Sequence, residues 1–141
     1  MFFSGEYERT LDAKNRVAMP PKLKDCLTDG TVMLFSRPKE PFIRAYQAEE
    51  WEKMVDGHYF KDDGVDRTVL QREIGRNSEK SEIDGQGRFT IPQKFCKRIG
   101  INRDVVMIGV GRRFEIWAKE VYLEENDDDN SSILDELILP Y

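Results

Sequence analysis

Residues 11–23 read LDAKNRVAMPPKL, and residues 83–95 read IDGQGRFTIPQKF. At a constant offset of 72 residues, Asp, Arg, Pro and Lys fall on Asp, Arg, Pro and Lys, and apolar residues fall on apolar ones. Self-similarity at a fixed spacing is the sequence signature of a repeated structural unit. Half of this 141-residue chain would struggle to build a core of its own. We therefore predict two copies of one β-rich unit that share a single core.

The similarity continues downstream of both stretches, with small gaps. Residues 31–35 resemble residues 104–108, and residues 42–46 resemble residues 113–117. β-Branched and apolar residues favour strands, and the alternation of apolar and other residues in the last segment suits a strand that packs one side into the core. Each unit is therefore predicted to contain a strand, a tight turn, a strand, a short helix, a strand, a turn and a strand.

Prolines divide the second strand of each unit from its helix. Pro20, Pro21 and Pro92 end a strand and suit the first turn of a helix. The predicted helices cover residues 22–27 and 94–99, and glycines at positions 30 and 100 are expected to mark their ends.

The shared pattern Asp-x-x-x-Arg lies in the tight turn of each unit. Asp12 and Asp84 open the two turns, and an aspartate in this position can accept hydrogen bonds from backbone N–H groups two or three residues later. Three further turn residues tolerate the positive φ that tight hairpins require: Asn15, Gly85 and Gly87. We predict a structural role for these five residues.

The exposed tips of the turns carry residues suited to binding DNA. Lys14 and Arg16 lie in the first turn, and Gln86 and Arg88 take the equivalent positions in the second. Arginine can fork onto guanine, while lysine and backbone amides hold phosphates. The alternative is that each arginine only pairs with the aspartate of its own turn. Further cations in and beside the short helices are candidate phosphate ligands: Lys22, Lys24, Lys94, Lys97 and Arg98.

The net charge of −5 conceals two basic windows. Residues 115–141 hold nine acids and one lysine, which leaves 21 basic and 18 acidic groups in residues 1–114. Residues 13–24 and 85–98 each contain four cations and no acid. Local patches rather than the overall isoelectric point govern attraction to phosphates, so both windows are compatible with binding nucleic acid.

The segments outside the two units have different compositions. We divide the chain into a first unit at 5–51, a helical connector at 52–79, a second unit at 80–123 and an acidic tail at 124–141. The helical stretch runs from about residue 47 to 77. Trp51, Met54 and Val55 suit the buried face of its first helix, and Val65, Val69, Leu70 and Ile74 that of its second, with a break at Asp62, Asp63 and Gly64. Residues 127–132 are expected to be a solvated linker. Residues 133–138 form either a short amphipathic helix or a disordered end.

Composition and residue spacing argue against several classes of protein. The distant cysteines Cys26 and Cys96 and the single histidine, His58, lack metal-ligand spacing, so free thiols and no metal are expected. No nucleophile–His–acid set or phosphate-cradling glycine loop indicates an enzyme, a cofactor or a small-molecule substrate. No apolar run is long enough to span a bilayer, and the N-terminus lacks the pattern of a signal peptide. We expect a cytoplasmic protein.

The same motifs resemble the MraZ family of bacterial transcriptional regulators, among the AbrB/SpoVT-like proteins. The resemblance rests on residues 3–7 (FSGEY), 11–16 (LDAKNR), 83–88 (IDGQGR) with IP at 91–92, and 114–117 (FEIW), and it covers residues 2 to about 123. It implies an α+β swapped-hairpin β-barrel in which two repeats in one chain replace two subunits. It places Arg16 and Arg88, with Lys14 and Gln86, toward DNA.

The resemblance also implies a function and an assembly. Such proteins form rings of several subunits, associate with the nucleoid, and bind repeated boxes in the promoter of the division and cell-wall gene cluster, which includes their own gene, usually as repressors. Two departures are Asn15, where the family usually has glycine, and Gln86, which is not a cation. The alternatives are an antitoxin-like module that binds a protein, and a structural ring-forming protein.

Overall fold

The computed structural model describes residues 2–59, 64 and 66–140, and its elements follow the same order in both halves of the chain. The first half contains β1 (Glu6–Thr10), β2 (Arg16–Ala18), α1 (Pro21–Lys24), β3 (Thr31–Phe35) and β4 (Phe42–Gln47). Helices α2 (Ala48–Tyr59) and α3 (Arg67–Arg76) follow. The second half contains β5 (Ser78–Glu82), β6 (Arg88–Thr90), α4 (Gln93–Ile99), β7 (Asp104–Gly109) and β8 (Phe114–Ala118). Helix α5 (Lys119–Glu125) and a 3-10 helix (Ser131–Glu136) complete the chain.

The strands of the two halves are interleaved. A six-stranded antiparallel sheet has the order β1-β7-β8-β4-β3-β5, and β2 and β6 form a separate antiparallel pair. The first strand of each half thus pairs with the third strand of the other, β1 with β7 and β5 with β3. Exchanging the two halves leaves this order unchanged, as expected for a pseudo-twofold axis between β4 and β8. The predicted α+β class with swapped hairpins is confirmed.

The strands do not close into the expected barrel. β2 and β6 are three residues long and pair with each other, and over the described residues neither joins the ladder of the larger sheet. The edge strands β1 and β5 of the six-stranded sheet are therefore not joined to each other through β2 and β6. The result is a small sheet packed on a large one rather than a closed ring of strands.

The main core lies between the inner face of the six-stranded sheet, the β2–β6 pair and helices α1 and α4. Val17 and Phe89 point inward from the β2–β6 pair, and Leu23 and Phe95 contribute from the two helices. The sheet supplies alternate residues of its four inner strands: Val32, Leu34, Ile43, Ala45, Val105, Met107, Phe114 and Ile116. Since both halves contribute equivalent positions to this cluster, neither half encloses a core by itself.

The connector packs on the outer face of the sheet. Trp51 and Val55 are buried against Tyr46, and Met54 packs against this second cluster, as the sequence predicted. Val69, in contrast, is 49% exposed, so its predicted burial is wrong. Helix α3 contacts the rest of the fold along one side, where Leu70 and Ile74 are half-buried. Val65, Asp62 and Asp63 lie outside the described residues.

The two short helices end differently. Gly100 adopts φ 77° as the C-cap of α4, as predicted. Helix α1 ends at Lys24, so Gly30 does not end it; Gly30 adopts φ 69° immediately before β3, and its carbonyl accepts from the Ile83 N–H at 2.8 Å. Helix α4 is longer and buries three side chains, whereas α1 buries only Leu23.

The remaining elements bear on surface chemistry. Cys26 and Cys96 are buried free thiols, and burial raises the pKa of Cys96. Helix α5, which the sequence did not predict, places Tyr122 edge-on to Trp117 with ring centroids 5.5 Å apart. The tail beyond it is exposed along its described length, residues 126–140, and forms a 3-10 helix where an amphipathic helix was considered. None of the described helices is long and apolar enough to cross a membrane.

Candidate nucleic-acid interface

The two Asp-x-x-x-Arg turns have the same hydrogen-bond pattern. Oδ1 of Asp12 accepts from the backbone N–H groups of Lys14 and Arg16, both at 2.9 Å, and Oδ2 accepts from Nε of Arg16 at 2.7 Å. In the second turn, Oδ1 of Asp84 accepts from the N–H groups of Gln86 at 2.8 Å and Arg88 at 2.9 Å. Its Oδ2 accepts from Nε of Arg88 at 3.1 Å. One carboxylate therefore fixes both the backbone of each turn and its arginine.

The same bonds set the charge state of the aspartates. Backbone donation from Arg16 is the main cause that lowers the pKa of Asp12, and backbone donation from Arg88 does the same for Asp84. The arginine side chains lower both pKa values further. Because hydrogen bonds to a carboxylate favour its ionised form, both aspartates are negatively charged near neutral pH.

Left-handed residues close both turns at equivalent positions. Asn15 has φ 59° and Gly87 has φ 76°, whereas Gly85 has no positive φ. Asparagine tolerates this conformation better than most residues that carry a Cβ. The departure from glycine at position 15 is therefore compatible with the same turn geometry in both halves.

Pairing of β2 with β6 places the two turns side by side. Val17 is opposite Phe89 on the buried face, while Arg16 is opposite Thr90 and Ala18 is opposite Arg88 on the outer face. Backbone hydrogen bonds between the two halves continue beyond the strands. The Met19 N–H donates to the Gly87 carbonyl at 2.8 Å, and the Ile91 N–H donates to the Asn15 carbonyl at 2.9 Å. Both arginines therefore point from one small sheet toward the same side of the molecule, each beside a small side chain.

The first turn tip carries a cation without a competing partner, whereas the second tip is neutral. Lys14, Gly85 and Gln86 are exposed, and over the described residues the Lys14 side chain forms no ion pair or hydrogen bond. The charges of Arg16 and Arg88 balance those of Asp12 and Asp84. Lys14 therefore adds a positive charge to the first tip that no acid of the two turns balances.

Arg103 is a neighbour of the first turn that the sequence did not identify. Its carbonyl accepts from the Leu11 N–H at 2.8 Å, and with Asn102 it lines a concave surface beside Asp12 and Asn15. Its side chain is exposed and has no ion-pair partner in the part of the chain that the structure describes. Arg103 lies in the α4–β7 loop, outside both basic windows, so only the fold reveals this proximity.

The cations of the two short helices differ in their surroundings. Lys22 and Lys24 are exposed on α1. Lys94 donates from Nζ to the Arg76 carbonyl at 2.6 Å, at the C-terminus of α3. Arg98 donates to the Ser36 carbonyl at 2.7 Å and to Oδ1 of Asn77 at 3.0 Å, while Lys97 is exposed. Lys94 and Arg98 thus hold α4 against neighbouring segments.

The described residues contain no group of three or more His, Cys, Asp or Glu side chains that could hold a metal ion. Two hairpins exchanged between equivalent halves, with Asp-capped turns on one surface, define a swapped-hairpin α+β protein.

Comparison with known proteins gives the family. A family model described as "MraZ protein, putative antitoxin-like" matches residues 2–72 and 76–136, and the chain belongs to the MraZ family. Transcriptional regulator MraZ of Cytophaga hutchinsonii is 35% identical over 86% of this chain and 82% of its own length. The protein of that name from Clostridium beijerinckii is 36% identical over 89% of this chain and 87% of its own. That from Lachnoclostridium phytofermentans is 31% identical over 96% and 94%.

Proposed function

We propose that this protein is a sequence-specific DNA-binding transcriptional regulator whose two turns contact DNA together. The observation that carries the proposal is the placement of Arg16 and Arg88 on the outer face of the β2–β6 pair, each oriented by an aspartate. A side chain held in one geometry before binding loses less conformational freedom on contact than a free one. Relatives named as transcriptional regulators, rather than as enzymes, support the assignment.

The arginine geometry suits base recognition. Each aspartate receives the Nε–H of the arginine in its own turn, which leaves the Nη groups at the far end of the guanidinium. Those groups can form the forked contact with guanine that is the commonest specific contact in the major groove. Lys14 and Gln86 lie at the turn tips, and we propose that the lysine and the side-chain amide of Gln86 contact DNA there. Lys22, Lys24 and Lys94 are the proposed flanking residues that contact phosphate.

The proposed assembly is a ring of several subunits on repeated promoter boxes. One chain offers two turns, so its own grip on DNA is modest. Linked subunits raise the effective concentration of each further turn pair at the next box, which increases affinity without any new type of contact. Boxes separated by about one helical turn would present the same groove to successive subunits.

The finer biological assignment follows the family. We propose that the protein acts in the cytoplasm, at the nucleoid, and represses the division and cell-wall gene cluster that includes its own gene. Residues 5–51 and 80–123 are proposed as the two DNA-binding units, with a connector at 52–79 and a tail at 124–141.

Binding to DNA from upstream of its own gene tests the proposal. The purified chain is titrated against duplexes with one or three candidate boxes and against a shuffled duplex, at two salt concentrations. Arg16→Ala and Arg88→Ala are compared after circular dichroism has shown that they fold. We expect salt-sensitive preference for the natural duplex, tighter binding to three boxes than to one, and a loss of about tenfold or more for either variant, since a good arginine–guanine fork contributes about 1–3 kcal/mol.

The opposite results have clear meanings. Equal affinity for natural and shuffled DNA would contradict sequence-specific recognition and direct attention to an antitoxin-like role with a protein partner. Folded arginine variants with unchanged affinity would show that the two residues only brace their turns. Equal affinity for one and three boxes would contradict the contribution of the ring.

A further inference from the structure

The C-terminal tail and the connector present complementary surfaces on the same chain. The tail segment is defined here as residues 131–139, which include the 3-10 helix Ser131–Glu136. The connector groove lies between α2, α3 and the outer face of β3 and β4, and is lined by Phe35, Trp51, Met54 and Leu70 with Arg37 and Arg44 at its rim. We propose that the tail segment of one subunit docks in the connector groove of a neighbouring copy, and that this contact builds the ring.

The tail segment exposes an apolar surface that none of the other described residues covers. Five large side chains are 60–93% exposed: Ile133, Leu134, Leu137, Ile138 and Leu139. A 3-10 helix has three residues per turn, so Leu134 and the adjoining Leu137 lie on the same side of the segment. Contiguous exposed apolar residues mark interaction sites in soluble proteins. The tail segment therefore has the character of a docking peptide.

The connector groove matches this peptide in polarity. Its volume is about 280 Å³, and its lining is apolar apart from the two arginines and the hydroxyl of Tyr46. The volume is below the range of about 300–1,000 Å³ typical of small-molecule sites. Leu70 lines the groove while remaining half-exposed on α3, so the open side of the groove is apolar. Apolar side chains from a peptide would fill it.

Charge favours the same pairing. Residues 126–140 contain five acids and no cation, and Asp135 and Glu136 lie between Leu134 and Leu137. At the groove, Arg44 is paired with Glu40, but exposed Arg37 has no side-chain partner within the described residues. An acidic amphipathic segment would place its leucines in the groove and its carboxylates near Arg37. Opposite charges at the rim favour this partner over a neutral or basic one.

The positions of the two surfaces explain why the contact would make a ring. In the folded chain, residues 123–140 are exposed, so the tail leaves its own groove uncovered. When a subunit donates one surface and receives on a different one, the contact is heterologous, and repeated contacts close a ring or extend a filament. Because the inference rests on the ring of the proposed function, its test must separate assembly from DNA recognition.

Four full-length variants test the contact. Leu134→Ser/Leu137→Ser removes the apolar side of the tail segment, and Leu123→Ser removes an exposed leucine of α5 as a matched control. Leu70→Glu places a charge in the groove. Arg37→Glu reverses the rim at an exposed position, which provides a groove variant if Leu70→Glu does not fold. Mass is measured by sedimentation over a range of concentrations, together with affinity for a duplex that carries one box.

We expect the wild type and Leu123→Ser to form rings. The tail variant and Leu70→Glu should sediment as single chains. Arg37→Glu should form rings only at higher protein concentration than the wild type. A mixture of the tail variant with the Leu70→Glu variant should form a dimer, because one intact tail meets one intact groove. All variants should bind a single box like the wild type. A wild type that sediments as a single chain, a tail variant that still forms rings, or a mixture that stays monomeric would overturn the inference. If the wild type did not prefer the single-box duplex over a shuffled duplex, that result would instead contradict the proposed function.

Discussion

Nη1 of Arg88 lies 3.9 Å from Oδ2 of Asp12, so the arginine of the second turn contacts the aspartate of the first. Within the described residues no ion pair joins Arg16 to Asp84. Asp12 therefore faces two guanidinium groups and Asp84 faces one. The two turns share a hydrogen-bond pattern but are not electrostatically equivalent.

This asymmetry predicts unequal effects of neutralising the aspartates. Asp12→Asn should weaken binding to a single DNA box more than Asp84→Asn, because the first substitution loosens both arginines. Exposed ion pairs contribute modestly, so we expect losses of about two- to fivefold for Asp12→Asn and less for Asp84→Asn. Fluorescence anisotropy with a labelled duplex measures both. A larger loss for Asp84→Asn would show that the contact between the turns is unimportant.

The two glycines of the second turn should respond oppositely to alanine. Gly87→Ala forces a Cβ into φ 76° and should destabilise the fold by about 1 kcal/mol. Gly85 has no positive φ, and an added Cβ there meets no atom within 4 Å. Gly85→Ala should therefore be neutral or stabilise by up to about 1 kcal/mol, through the unfolded chain. Chemical denaturation measures both values, and similar destabilisation by both variants would contradict the turn geometry.

The difference between Lys14 and Gln86 predicts a change in salt dependence. Gln86→Lys should tighten DNA binding and steepen the plot of log affinity against log salt by about 0.9, because one more phosphate is neutralised. Lys14→Gln should make the plot shallower by a similar amount. The double exchange restores the number of cations and serves as the control. Unchanged slopes in both single variants would place the tips away from the phosphates.

Arg103 should contribute to the first tip alone. Arg103→Ala removes an exposed cation beside Asp12 and should weaken single-box binding and reduce the salt slope by about 0.9. Lys53→Ala removes an exposed cation from α2 and serves as the matched control. Equal effects of the two substitutions would indicate general charge attraction rather than a contact at the turn.

Acid should destabilise the fold partly through the turn aspartates. The pKa values of Asp12 and Asp84 lie below the ordinary value of 3.8 in the folded protein, so the unfolded chain binds protons at higher pH than the folded one. Their contribution to stability is fully present above the ordinary carboxyl range and is lost as pH falls through the lowered pKa values.

The double variant Asp12→Asn/Asp84→Asn should therefore show a shallower fall in thermal midpoint with decreasing pH. The comparison is with the wild type and with Asp127→Asn/Asp128→Asn in the exposed tail, measured from about pH 6 to about pH 2.5 across the carboxylate range. Parallel curves for the turn variant and the wild type would exclude a difference in proton binding at these turns.

Local features of this fold were accessible from sequence because they depend on a few neighbouring residues. The strand predicted at residues 31–35 coincides with β3, and Gly100 caps α4. The turns could also be predicted, because an aspartate, a residue that tolerates positive φ and an arginine occur at fixed spacing. The prolines likewise separate strand from helix in both halves.

Partners distant in sequence were not accessible in this way. Alternating apolar residues specify a buried face but fit many neighbouring strands, so periodicity did not indicate that β2 pairs with β6, and the family resemblance implied only that the hairpins of the two repeats are swapped. The position of Arg103 beside the first turn depends on the pairing of β1 with β7, in which Thr10 lies opposite Asp104. Val69 matched a helical apolar stripe, yet α3 lies at the margin of the fold and buries only part of it.

Interleaving of the two halves has a consequence for dilute solution. Two separate chains of this kind would have to meet before β1 could pair with β7 or β2 with β6, and their folding would depend on protein concentration. The connector joins the halves covalently, so the encounter becomes the closure of a loop within one molecule, whose entropic cost does not change on dilution. Each subunit can thus keep its paired turns intact at the low copy numbers at which a two-chain version would fall apart.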